Sequence, residues 1–193
     1  APGWLVTAAH CVGQEGWISV QATLGSKDSG HPGAVRRTVT AAVCHERFDP
    51  RSLAYDVALL KLDHPLPADF PLLRLATTEE ISDLSRGVAA LSAGWGRVSK
   101  REISRHLRKA RVEVVCVGES GAPLVADLGR GPALFGVFSS VDDYYDAGKD
   151  EMVELCHGFE ARSYFTGLRG LRRWIDSVIA LCSRAPASCA AVP

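Results

Sequence analysis

An all-β chain of barrel or sandwich type, closed by one helix, is the fold class that this sequence predicts. Three observations predict it. Short apolar and β-branched runs recur between Gly-, Pro-, Asp- and Ser-rich breaks, the pattern of many short strands joined by turns. Strong helical spacing is confined to the end of the chain, where Leu171, Trp174, Ile175, Val178, Ile179 and Cys182 fall on one face. The chain has 193 residues, enough to bury a core in one or two domains.

The elements follow in order. The chain enters directly on the strand around Trp4. Trp17–Leu24 and Val35–Val43 are rich in strand formers, with the turn cluster Lys27-Asp28-Ser29-Gly30 between them. Val57–Leu62 is a compact apolar strand that Asp63-His64-Pro65 stops, since proline cannot donate to a ladder. Val88–Ala93 leads into Gly94-Trp95-Gly96, and Arg111–Val115, Pro123–Ala126 and Ala133–Ser139 are further strands. The helix at 170–182 buries its apolar stripe on those strands, a packing face and not a cofactor site. Residues 183–193, rich in Ala and Pro, read as a loose tail. The sequence shows no internal repeat.

Composition excludes several classes of function. Acidic and basic residues balance at 22 each, so no basic field calls for nucleic acid. The locally basic Arg101–Lys109 stretch reads as a solvated face. No apolar run reaches the ~20 residues that a membrane-spanning helix needs. Six cysteines without a C-x-x-C pair point to an oxidising compartment and disulfides, not to a zinc site.

Three segments carry chemistry: Leu5-Val6-Thr7-Ala8-Ala9-His10-Cys11, Tyr55-Asp56-Val57-Ala58-Leu59-Leu60 and Gly118-Glu119-Ser120-Gly121-Ala122-Pro123-Leu124. A serine hydroxyl becomes nucleophilic only beside a base, and that base needs a third group to fix its tautomer. Imidazole suits the base because its ordinary pKa lies near 6.5. In these segments and in the order His, Asp, Ser, the chain resembles the trypsin-like, chymotrypsin-fold serine endopeptidases, from about Trp4 to Ile179. Gly94-Trp95-Gly96, Tyr164-Phe165-Thr166 and Trp174-Ile175 add to the resemblance.

The resemblance implies two packed six-stranded Greek-key barrels with a C-terminal helix, over residues 1–182. The first barrel would take about 1–90 and the second about 91–170, dividing near Leu91–Lys100, with the site in the cleft between them. His10 would be the base, Asp56 its partner and Ser120 the nucleophile, with the N–H groups of Gly118 and Ser120 as the oxyanion hole. Cys116 and Cys156 match the pair that braces the specificity pocket. Ser139, in Gly136-Val137-Phe138-Ser139, would hold the substrate backbone. The substrate would be a polypeptide, the enzyme secreted and monomeric, open to protein inhibitors and without cofactor or metal.

Spacing agrees in part. His10 and Asp56 lie 46 residues apart, against about 45 in the triad template. Asp56 and Ser120 lie 64 apart, roughly 29 short of that template. The shortfall falls at Val115–Cys116, where an intermediate helix, a strand and one pocket edge would otherwise lie. The first strands of the family are also missing, so the chain reads as a fragment or as the product of a skipped exon. Glu119 and Ala122 replace the usual Asp and Gly. Val114 aligns with the pocket floor and Val141 narrows its mouth, which predicts small or medium apolar P1 residues. Cys182 and Cys189 are a candidate pair; Cys11 is left either without a partner or joined to Cys44.

Two other readings compete. A relative that keeps the triad but binds without cutting would explain Glu119, the gap and the altered pocket. An α/β-hydrolase esterase would use Gly118-Glu119-Ser120-Gly121 as its elbow and recruit Asp143 and His157. That fold needs a helix straight after the serine, where Pro123 begins a strand-like run.

Overall fold

A computed structural model of the chain describes residues 1–12, 20–84, 88–95, 97–99, 102–113, 121–141, 144–146, 151–153, 163–168 and 170–185. The first half contributes β1 (Trp4–Thr7), β2 (Gln21–Leu24), β3 (Val35–Cys44) and β4 (Ala58–Leu62). Next come β5 (Arg74–Leu75), α1 (Thr78–Asp83) and β6 (Ala89–Gly94). After them lie β7 (Arg97–Ser99), β8 (Glu102–Ile103), β9 (Arg108–Glu113), β10 (Pro123–Ala126) and β11 (Ala133–Val141). β12 (Tyr144–Asp146), β13 (Glu151–Val153), β14 (Ser163–Gly167) and α2 (Leu171–Arg184) complete the described chain.

The strands form an antiparallel sheet in the order β1-β4-β3-β2 and a larger sheet in the order β14-β11-β10-β6-β9. β5 lies parallel to the start of β11, along the same edge as β14. Two ribbons, β7–β8 and β12–β13, stand apart. The all-β class with a C-terminal helix is therefore the observed one. Among the described residues the first sheet has four strands and the second six. The chain joins the second sheet as early as Arg74.

β3, β4, β6, β10 and β11 begin and end within two residues of the expected apolar runs, whereas β9 begins at Arg108, three residues before the expected Arg111. β4 is buried along nearly its whole length, and its side chains alternate between two cores as a pleat requires. Val57, just before it, and Leu59 face a core with Leu134, Leu168, Leu171 and Ile175. Leu60 and Leu62 face another with Val39, Ala42 and Leu66. α2 runs through Arg184, two residues beyond the expected end, and buries Leu171, Ile175 and Cys182.

One helix escapes the apolar pattern. α1 is six residues long, too short for an apolar stripe. It is held at its start by a capping box: the Glu80 N–H donates to the Thr77 hydroxyl, and the Thr77 N–H donates to the Glu80 carboxylate.

Candidate active site

Asp56 sits immediately before β4 and is fully buried. The Val57 N–H donates to the Tyr55 carbonyl at 2.8 Å, closing a three-residue turn with Asp56 at its centre. Tyr55 leads into that turn with φ +55°, in the left-handed region that side chains other than glycine seldom adopt. The turn aims the carboxylate at the one-turn 3-10 helix Ala9–Cys11, which follows β1 and carries His10.

Three donors converge on this carboxylate. The His10 backbone N–H donates to Oδ1 at 2.8 Å, and His10 Nδ1–H donates to Oδ2 at 2.6 Å. The Ser139 hydroxyl donates to Oδ2 at 2.5 Å. A buried carboxylate needs such compensation, because nothing else replaces the water it has lost. The arrangement places the imidazole proton on Nδ1 and makes Nε2 the acceptor, where the Cys11 thiol is its hydrogen-bond partner. The His10 side chain is 25% exposed, so Nε2 can be reached from outside. The Cys11 thiol lies 3.6 Å from Nε2.

Gly121 closes the site from the second half of the chain. Its φ is +83°, and a Cβ there would stand 2.8 Å from Thr7 Oγ1. Only glycine fits both conditions. Gly121 thereby packs against the Thr7–Cys11 segment, while its N–H donates to the Phe138 carbonyl at 3.0 Å. Ser139 occupies a bulge: Phe138 pairs with Phe165 and Ser140 with Tyr164, and Ser139 is passed over.

The structure thus brings together His10, Asp56 and Ser139. The expected nucleophile Ser120, the oxyanion residue Gly118, the pocket-floor Val114 and the cysteines Cys116 and Cys156 lie outside the described residues, as do Asp143 and His157. For Val141 only the backbone, paired with Ser163, is described. Ser139 was expected to hold the substrate backbone; its hydroxyl donates to Asp56.

The Cys11–Cys44 alternative is overturned, since both thiols are free. Cys44 ends β3 opposite Ala58, whereas Cys11 faces His10. Burial, and then the negative charge of Asp56, raise both thiols above the ordinary cysteine range. Cys182 is disulfide-bonded. An apolar cavity of about 720 Å³ lies between β1, the Phe70–Leu75 segment and α2; Gly121 lines it, whereas His10, Asp56 and Ser139 do not. The described residues contain no group of three or more potential metal ligands.

Comparison with known proteins shows the family of the chain. The trypsin family model matches residues 1–115, more than half of the chain. The chain belongs to the trypsin family. It is 30% identical to trypsin iota of Drosophila melanogaster over 115 residues, 60% of this chain and 44% of that protein. It is 28% identical to human granzyme M over 172 residues, 72% of this chain and 66% of that protein. It is 30% identical to a trypsin of Simulium vittatum over 115 residues, 59% of this chain and 46% of that protein. The chain therefore spans between under half and just under two thirds of these trypsin-family relatives. The esterase reading is overturned by the fold, because β10 follows Gly121, where the nucleophile elbow needs a helix.

Proposed function

We propose that this chain is a serine endopeptidase working through an acyl-enzyme, with Ser120 as nucleophile, His10 as general base and Asp56 as the group that orients His10. The observation that carries this is the 2.6 Å contact from His10 Nδ1 to a buried Asp56, which turns an accessible Nε2 lone pair outward. Membership of the trypsin family supports the assignment. Ser120 directly precedes Gly121 in the sequence. Gly121 itself lies against Thr7 and Cys11, the neighbours of His10.

Ser120 Oγ attacks the scissile carbonyl carbon while its proton passes to His10 Nε2. The tetrahedral oxyanion is held by the N–H groups of Gly118 and Ser120. His10 then protonates the leaving amine, and water hydrolyses the ester by the same route in reverse. Asp56 stabilises the imidazolium. Val114 and Val141 shape an apolar pocket for small or medium P1 side chains, with the Ser139 backbone along the substrate and Cys116–Cys156 bracing the wall. A disulfide-bonded Cys182 suits a secreted protein; no helix of the described residues is long and apolar enough to cross a membrane.

Labelling with a fluorophosphonate probe tests the proposal. Ser120 takes the label, and Asp56→Asn lowers the labelling rate by roughly 10⁴-fold. A folded wild-type protein that leaves Ser120 unmodified is instead a binding relative. Strong cleavage after Arg in a peptide library overturns the pocket assignment.

A further inference from the structure

Asp56 is aimed by a strained residue, and the ring of that residue is held by two neighbours. The Tyr55 ring stacks on the His45 ring, with centroids 4.8 Å apart and planes 19° from parallel. The Arg47 guanidinium covers the Tyr55 ring at 4.2 Å. His45 is buried, and its other neighbour is Trp174 of α2, with centroids at 4.9 Å. His45 also holds the far side of the turn, because its N–H donates to the Val57 carbonyl at 3.0 Å. One residue therefore grips both neighbours of Asp56, Tyr55 through its ring and Val57 through its backbone. The Arg47 N–H donates to His45 Nδ1 at 3.1 Å, which fixes the orientation of the His45 ring.

A left-handed tyrosine persists only where its surroundings over-determine it. Relaxing Tyr55 toward negative φ would swing the next peptide, and with it the carboxylate whose Oδ2 must meet both His10 Nδ1 and Ser139 Oγ. The strain is thus coupled to the site geometry through a single peptide unit. Leu53, at φ +54°, shares the conformation two residues earlier but has no ring to be held by.

We infer that Tyr55 is a positioning residue for Asp56, locked in its left-handed conformation by stacking between His45 and Arg47. This rests on the reading of His10 and Asp56 as base and orienting carboxylate. The role belongs to the aromatic ring and not to the hydroxyl, so Tyr55→Phe preserves it. Tyr55→Gly tolerates the φ angle but loses the stack, and frees the turn.

The test combines steady-state kinetics on a chromogenic peptide with the low-field NMR resonance of the His10 Nδ1 proton, which reports the bond to Asp56 whether or not Ser120 is active. Tyr55→Gly should lower kcat by roughly 10–100-fold with KM unchanged, and should move the Nδ1 proton upfield or broaden it away. Tyr55→Phe should keep both at wild-type values. A folded Tyr55→Gly protein with wild-type kcat and an unmoved Nδ1 proton overturns the inference, and so does a Tyr55→Phe protein that loses both. If Tyr55→Gly does not fold, His45→Gln removes the stacked ring while keeping the N–H to Val57. The Nδ1 proton must then move in the same way, or the inference fails. A wild type that Ser120-directed probes never label defeats the protease reading alone, because the resonance still decides the role of Tyr55.

Discussion

At the scale of single residues, the site is a set of fixed hydrogen-bond donors around one buried charge. Ser139 is the donor least expected from its motif, and its removal has a definite consequence. Ser139→Ala leaves Asp56 Oδ2 with His10 alone and no water to replace the hydroxyl, since both groups are buried. A lost hydrogen bond to a charged group costs about 1.5–3 kcal/mol. Urea unfolding of Ser139→Ala should show a loss of that size, and a loss below about 0.5 kcal/mol would mean that solvent reaches Asp56 after all. Gly121 is a second such position. Gly121→Ala puts a Cβ against Thr7 Oγ1 and an L side chain at φ +83°. The conformation alone costs about 1–2 kcal/mol, and the contact displaces Gly121 from the His10 segment. The variant should therefore be less stable by chemical denaturation and also slower to take the fluorophosphonate.

At the scale of elements, α1 couples charge to the second sheet. Arg74, in β5, donates two hydrogen bonds of 2.7 Å to the Glu80 carboxylate and also donates to the Gly131 carbonyl before β11. The Arg74 hydrogen bonds first, and the Thr77 N–H next, hold the Glu80 carboxyl down to about 2, against about 4.3 in an unfolded chain. A folded value below the unfolded one means that the unfolded state binds the proton more readily. The stabilisation is complete above about pH 4.3 and is lost as the pH falls toward 2. Melting temperatures measured between about pH 5 and pH 2 should fall less steeply for Glu80→Gln than for wild type; parallel curves would show that Glu80 is not a source of the acid sensitivity. This element was only half legible beforehand. Thr77-Thr78-Glu79-Glu80 spells the capping box, yet a one-and-a-half-turn helix has too few residues to show a period. β4 and α2 were legible because burial on two faces, or on one helical stripe, dictates an apolar pattern of sufficient length. His10 and Asp56 were legible because their motifs are local. The Tyr55 clamp and the Ser139–Asp56 bond were not, since stacking, positive φ and a partner 83 residues away are made by the tertiary fold.

At the scale of the whole molecule, the proposed chemistry depends on two sheets keeping a fixed relation, since His10 and Asp56 flank strands of the first and Ser139 belongs to the second. The core that joins them draws Val57 and Leu59 from the first half, Leu134 from β11, and Leu168, Leu171 and Ile175 from the C-terminal segment. Trp174, beside Ile175 on the helix, continues this contact to His45 and so to the turn that bears Asp56. The halves should therefore not unfold separately. Ile175 is 2% exposed, and cutting such a side chain to alanine costs about 2–5 kcal/mol through lost burial and the cavity left behind. If the shared core makes folding a single cooperative event, Ile175→Ala should lower the hydrogen-exchange protection of the β3–β4 amides and of the β10–β11 amides by the same free energy. Loss of protection confined to β10, β11 and α2 would show that the first sheet stands without the helix. The alignment of His10 and Asp56 with Ser139 would then rest on the Asp56 hydrogen bonds and the Gly121 contact alone.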